Sequence, residues 1–166
     1  MELIDYHFTD NDSDFDKVFT SKYRKLSKIH WTPVEIIKTT IDWLELTSNS
    51  KVLDIGSGVG KFCLQGALLS KAQFTGVEKR KTLVSQANKV KSEFKIDNIE
   101  FIHANIVEID FFNFNAFYYY NPFCEQIALS GLIDKSIVFD KKKYDNYEEY
   151  VLSQFDRWNC YLLLEK

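Results

Sequence analysis

The stretch Val52-Leu53-Asp54-Ile55-Gly56-Ser57-Gly58-Val59-Gly60 places three of the chain's six glycines at alternating positions directly behind a short apolar run. Glycines so spaced after a strand let the backbone turn sharply and approach a ligand where any Cβ would collide. A side chain at Gly58 is accordingly expected to project into ligand space. Lys51–Ile55 reads as a buried strand, the glycines as a tight turn, and Lys61–Leu69 as the helix that follows. The first turn of that helix offers unpaired N–H groups, which favour a polar ligand at this spot.

Three ligands compete for such a turn. A nucleotide-triphosphate loop requires G-x-x-x-x-G-K-[ST]. Gly60-Lys61 supplies the G-K, but Ile55 stands at the first glycine position and Phe62 at the hydroxyl position. A dinucleotide turn requires G-x-G-x-x-G, and here the third glycine comes one residue early. The third choice fits the spacing without repair.

Outward from the turn, Phe74–Glu78 reads as a second strand, followed by a helix with Leu83, Val84, Ala87 and Val90 inward. Ile99–His103 is a third strand, and Ala116–Tyr120 a fourth, stopped by Asn121-Pro122. Strands alternating with helices specify an α/β fold with a Rossmann-like parallel sheet and flanking helices. Before the turn, Phe15, Val18, Phe19, Leu26 and Ile29 sit at helical spacing. Thr32-Pro33-Val34-Glu35 reads as a capping box with proline at the first helical position. The helix it opens carries Val34, Ile37, Ile41 and Leu44 and ends near Thr47–Ser50. After the fourth strand, Tyr147, Tyr150, Val151, Phe155, Trp158 and Leu162 predict one long helix. A competing reading makes residues 160–164 a fifth strand.

The 166 residues fit one domain. N-terminal helices occupy 1–46, the βαβ core 51–123 and a C-terminal helical segment 124–166. Apolar residues make up 45% of the chain, enough for a core. The net charge of −3 disfavours generic nucleic-acid binding. The basic runs at Lys22–Lys28 and Lys141–Lys143 read as solvated faces. Cys63, Cys124 and Cys160 form no CxxC pair, which points to reduced thiols, no metal site and a cytoplasmic compartment. No apolar stretch reaches the roughly 18 residues of a membrane span, and the N-terminus lacks a signal-peptide pattern.

Asp54-Ile55-Gly56-Ser57-Gly58-Val59-Gly60 closely resembles motif I, D-x-G-x-G-x-G, of the class I S-adenosylmethionine-dependent methyltransferases. The resemblance runs from about Thr32 to Phe123 and implies S-adenosylmethionine as cofactor on a sheet of strand order 3-2-1-4. It implies that Glu78 holds the ribose hydroxyls, with Lys79 beside it. Glu78 lies 18 residues after Gly60, near the roughly 20 expected of a ribose-binding acid. Asn105 falls where the family places a polar group near the adenine amine. Asp54 would orient the turn or the methionyl amine. Gly56, Ser57, Gly58 and Gly60 would line the amino-acid end, and Trp31 and Thr32 would close over the carboxylate.

Asn121-Pro122-Phe123 resembles the family's motif IV. In amine methyltransferases bearing N-P-P-[YF], the asparagine and a proline carbonyl accept from the target amine, and the aromatic packs against it. This chain has one proline fewer. The family's full sheet has seven strands, whereas the residues after Phe123 leave room for few, so truncation after the fourth strand is expected. The fourth strand would then be an incompletely covered edge, to be completed in a homodimer or belonging to a truncated methyltransferase. Two functional classes stay open. One is an active enzyme whose methyl acceptor the sequence does not name, a protein amine or a small molecule. The other is an inactive cofactor-binding or subunit protein.

Overall fold

A computed structural model describes residues 10–128, 132–134 and 136–156. The β-branched and aromatic runs form β1 (Lys51–Ile55), β2 (Gln73–Glu78), β3 (Ile99–His103) and β4 (Ala116–Tyr119). All three pairings are parallel, in the order β3-β2-β1-β4. Asp54 lies beside Gly76 on one side and Tyr118 on the other, and Ile55 beside Val77 and Tyr119. The C-terminal ends of β1, β2 and β4 are thereby brought level.

Alternation along each strand sends side chains to two faces. Val52, Phe74, Phe101 and Tyr118 pack with α4 (Val34–Trp43), α5 (Lys61–Leu69) and α6 (Lys81–Glu93). The Phe62 and Tyr118 rings stack there, with centroids 3.6 Å apart. Leu53, Ile55, Val77, Phe117 and Tyr119 face the other way, onto Ile106, Phe111, Val151 and Phe155. The last two belong to α7 (Lys141–Phe155). Only three-residue 3₁₀ turns, Ile106–Glu108 and Phe111–Asn113, lie between β3 and β4.

The N-terminal layer is helical, as the spacing predicts, but broken into short pieces. Before α4 it has three single α-helical turns, α1 (Asp12–Phe15), α2 (Ser21–Arg24) and α3 (Ser27–His30), with a 3₁₀ turn, Asp16–Val18, after the first. Phe15 and Phe19 are buried as their spacing predicts, but Ile29 is exposed. The capping box does not form. Pro33 is the N-cap of α4 and Thr32 turns inward, its Oγ1 sharing a hydrogen bond of 2.6 Å with the Tyr118 hydroxyl. Asp12 takes over the cap from 22 residues upstream, its Oδ1 accepting from Val34 N at 3.0 Å. A carboxylate there also suits the positive end of the helix dipole. The helix ends at Trp43, short of Thr47.

Among the described residues, no strand pairs with the far edge of β4, and no helix is long and apolar enough to cross a membrane. Trp158, Leu162 and the alternative strand at 160–164 lie outside the described residues, as does Cys160.

Lys61 fastens the N-terminal layer to the core. Its side chain is 2% exposed, and its ammonium sits 2.6 Å from Asp12 Oδ1 and 2.8 Å from Asp16 Oδ1 and donates to Ser27 Oγ at 3.0 Å. Removing one partner of a buried pair leaves an uncompensated charge and costs about 3–5 kcal/mol, whereas an exposed pair contributes about 0–1 kcal/mol. Lys61→Met is therefore expected to lower unfolding stability by about 3 kcal/mol in urea titrations. Lys17→Met, which breaks the exposed Lys17–Asp14 pair, is expected to cost under about 1 kcal/mol. Equal costs would show that the buried knot has no special weight.

Candidate functional site

The turn after β1 is pinned to β2 by two backbone bonds. Gly56 N and Ser57 N both donate to the Val77 carbonyl at 2.9 Å. The three glycines take φ of +76°, +58° and +78°, the left-handed region that side chains disfavour. At Gly56 a Cβ would lie 2.4 Å from Pro122 Cβ, so only glycine lets the loop after β4 close onto the turn. At Gly58 a Cβ would meet Trp31 Nε1 at 2.9 Å. The expectation that it would enter ligand space is thus corrected, because the indole of Trp31 already covers that side. A Cβ at Gly60 would run into the Phe101 ring, and the Ser57 side chain lies over Gly76. Ser57 Oγ is buried with no hydrogen-bond partner among the described residues.

Glu78 ends β2 and is buried, with both oxygens occupied. Oε2 accepts from Gly58 N at 3.1 Å and from Arg80 Nη2 at 3.0 Å. Oε1 accepts from Arg80 N and Nε, each at 2.8 Å. Arg80 also pairs through Nη1 with Glu125, a buried residue in the 3₁₀ turn Cys124–Gln126. Glu125 in turn accepts from the backbone N–H groups of Ile133 and Asp134. Burial works against the guanidinium charge, but the bonds to Glu78 and the two carboxylate charges outweigh it and raise the Arg80 pKa.

Asn105 follows β3 and donates through Nδ2 to the Tyr147 hydroxyl at 3.0 Å. Lys79 Nζ reaches the same hydroxyl at 3.3 Å. Beyond β4, Asn121 takes φ +47°, a conformation that asparagine tolerates better than most residues. Gly56, Glu78, Lys79, Asn105, Pro122 and Phe123, all expected from the sequence, line one cavity at the strand ends. Asn121, Trp31, Thr32, Asp54, Ser57, Gly58 and Gly60 do not line it. Asn121 is exposed, and the others form the turn or pack around it. Arg80, Ile106, Glu125 and Tyr147 also line the cavity, and sequence reading missed them. Arg80 alone left a signal, an arginine two residues beyond an acid at a strand end.

These strand ends, in this order, agree with a known family. A family model described as a methyltransferase domain matches residues 46–148. The chain belongs to that family.

It is a Rossmann-like methyltransferase domain, of the class whose cofactor is S-adenosylmethionine. The 23S rRNA (uracil(1939)-C(5))-methyltransferase of Shewanella sediminis is 37% identical over 71 residues, 43% of this chain and 16% of that protein. A tRNA (guanine-N(7)-)-methyltransferase of Synechococcus sp. (strain JA-3-3Ab) is 47% identical over 55 residues, 32% of this chain and 23% of that protein. The chain thus spans less than a quarter of the length of either relative. The fold is shared with an RNA methyltransferase from Salinibacter ruber solved with S-adenosyl-L-homocysteine, at 24% identity and a TM-score of 0.51, over 54% of this chain and 59% of that one.

Within the methyltransferase domain, Asp54 lies beneath the glycine turn, 4% exposed, its Oδ2 accepting from Cys63 Sγ at 3.3 Å. Burial pushes its pKa up to about 7, the Cys63 bond pulls it down, and the nearby Glu78 charge adds to the rise. Burial likewise pushes the Cys63 thiol up. A carboxyl whose folded pKa exceeds its unfolded value stabilises the fold below the unfolded pKa. That contribution is lost as pH rises through the folded pKa. The window here runs from about pH 4 to about pH 7. Asp54→Asn removes this titration. Its stability relative to wild type should therefore climb across that window by up to about 4 kcal/mol, at about 1.4 kcal/mol per pKa unit. Chemical denaturation of both proteins at pH 4.5 and pH 8 measures it. A difference that does not change with pH would place the Asp54 pKa near its ordinary value.

Proposed function

We propose that the chain binds S-adenosylmethionine at the C-terminal ends of its strands and transfers the methyl group to an amine-type nitrogen held at Asn121–Phe123. The observation that carries this reading is the meeting of Gly56, Glu78, Asn105 and Pro122, from four separate strand ends, around one cavity. The residue chemistry fits the cofactor. A carboxylate accepts from two vicinal ribose hydroxyls, an amide pairs with the adenine edge, and a glycine turn admits the amino-acid end. Bound there, the cofactor supplies a methyl group on a sulfonium centre.

The chain's own residues position and polarise. Glu78 and Lys79 hold the ribose region and Asn105 the base. The turn Gly56–Gly60, backed by Asp54, Trp31 and Thr32, holds the amino-acid end. The Asn121 side-chain oxygen and the Pro122 carbonyl accept from the acceptor's N–H groups and aim its lone pair along the line of attack. Phe123 packs against its plane. Orientation of this kind, with water excluded, supplies a large share of the rate enhancement in bimolecular transfers. The acceptor is the open part. The matched relatives are named for rRNA and tRNA substrates, which makes RNA the first acceptor class to assay, despite the net charge of −3.

Calorimetry should show binding of S-adenosylmethionine and S-adenosylhomocysteine, with NAD and ATP far weaker. Glu78→Gln should weaken cofactor binding by about 1–3 kcal/mol, as expected for hydrogen bonds to a charged group. Asn121→Ala should leave cofactor affinity within about twofold and abolish turnover, read by mass spectrometry of methylated RNA and amine acceptors. Binding without turnover in wild type on every acceptor class would favour the non-catalytic alternative. Tighter NAD binding would overturn the cofactor assignment.

A further inference from the structure

We infer that Tyr147 of α7 is a cofactor-binding residue, completing the adenine end of the site from a helix that follows the four strand ends. The inference rests on the proposed cofactor reading and adds to it a residue and a source. Tyr147 lines the same cavity as Glu78, Lys79, Asn105 and Phe123. Its hydroxyl receives Asn105 Nδ2 at 3.0 Å and Lys79 Nζ at 3.3 Å. Its ring centroid lies 5.0 Å from that of Phe123, tilted by 37°. One side chain therefore touches the base-reading asparagine, the lysine beside the ribose acid and the aromatic of the acceptor motif.

Packing fixes this placement. Val151 and Phe155, one and two turns further along α7, are 0% and 2% exposed and seated on the sheet. Residues four apart share a helix face, so the helix that buries Val151 and Phe155 must carry Tyr147 toward the strand ends. With only 3₁₀ turns between β3 and β4, no other helix covers that side among the described residues.

The bonding pattern says what the residue does. By accepting from one Asn105 N–H, the Tyr147 hydroxyl orients the amide and leaves its oxygen and second N–H for a heteroaromatic edge. The ring offers an apolar wall to the base. Tyr147 thus binds the adenosyl part and, through Phe123, sets the distance between cofactor and acceptor.

The test is calorimetry of the full chain with S-adenosylhomocysteine and with 5′-methylthioadenosine, which lacks the amino-acid end. Tyr147→Ala should weaken both ligands by about tenfold and to the same extent, because the contact lies on the part they share. Tyr147→Phe keeps the wall and loses the hydroxyl, and should weaken both by about threefold. Tyr150→Phe, on the same helix with its hydroxyl 3.4 Å from the Ile109 carbonyl, should bind like wild type. If Tyr147→Ala does not fold, Tyr147→Phe decides. Binding unchanged in the folded variants would overturn the inference while the cofactor reading stands. Tighter binding in Tyr147→Ala would also overturn it, showing that the ring fills space the base needs. Failure of wild type to bind either ligand would remove the cofactor reading and this inference together.

Discussion

The carboxylate of Glu78 is the point on which the site is assembled. It is 3% exposed, and four N–H donors from two segments converge on it. An unpaired charge at that depth would cost several kcal/mol, so the glycine turn and the start of α6 are held where they can supply those donors. Arg80 extends the constraint to Glu125, and Glu125 extends it to the backbone at Ile133 and Asp134. A single acid at the end of β2 thereby ties three loops to one edge of the sheet. The cavity they enclose is about 80 Å³, below the roughly 300–1,000 Å³ of small-molecule sites. Under the proposed reading, ribose hydroxyls must exchange with the Arg80 guanidinium at Glu78.

Much of the frame was legible because it depends on local pattern. β1, β3 and α5 lie where period and punctuation put them, and β2 and β4 differ by one residue at an end. The inward set of α6, Leu83, Val84, Ala87 and Val90, is buried as the 3.6-residue spacing requires. The six expected residues that line the cavity were legible for a related reason, since strand ends and their loops are fixed by the same pattern. What failed was non-local. Thr32 had every local mark of an N-cap, but a buried tyrosine 86 positions later claimed its hydroxyl. The α4 cap fell instead to Asp12, which no i,i+3 rule reaches. Glu125 and Tyr147 were invisible because nothing near them in the chain says where residues 124–155 return.

Lys61 shows the same lesson from the other side. Counted as the G-K of a phosphate-loop pattern that fails at Ile55 and Phe62, it had no assigned use. In the structure it is buried, and its partners come from residues 12, 16 and 27. Charged groups are almost never fully buried unless paired, so a lysine at the first position of a helix packed on both sides demands such partners. The N-terminal turns are too short to be stable as isolated helices. Their aromatic packing, with Phe19 and Tyr23 against Trp31, depends on the anchor that Lys61 provides. That packing carries Trp31 onto Gly58, and so brings the N-terminal layer to the glycine turn.

The connection from β3 to β4 sets the remaining architecture. Parallel strands need a crossover, and this one holds no α-helix. Left alone, Leu53, Ile55, Val77, Phe117 and Tyr119 would present an apolar sheet face to water, which parallel sheets do not tolerate. Val151 and Phe155 remove that face from solvent, each side chain contributing about 1.5–3 kcal/mol on burial. Between β4 and α7, Pro122, Phe123, Glu125, Gln126 and Ile137 line the cavity, Glu125 meets Arg80 there, and Tyr147 in the first half of α7 reaches Asn105. The hydrophobic requirement of the sheet thus delivers polar and aromatic groups to the site. The core and the candidate site of this methyltransferase domain are closed by one and the same helix.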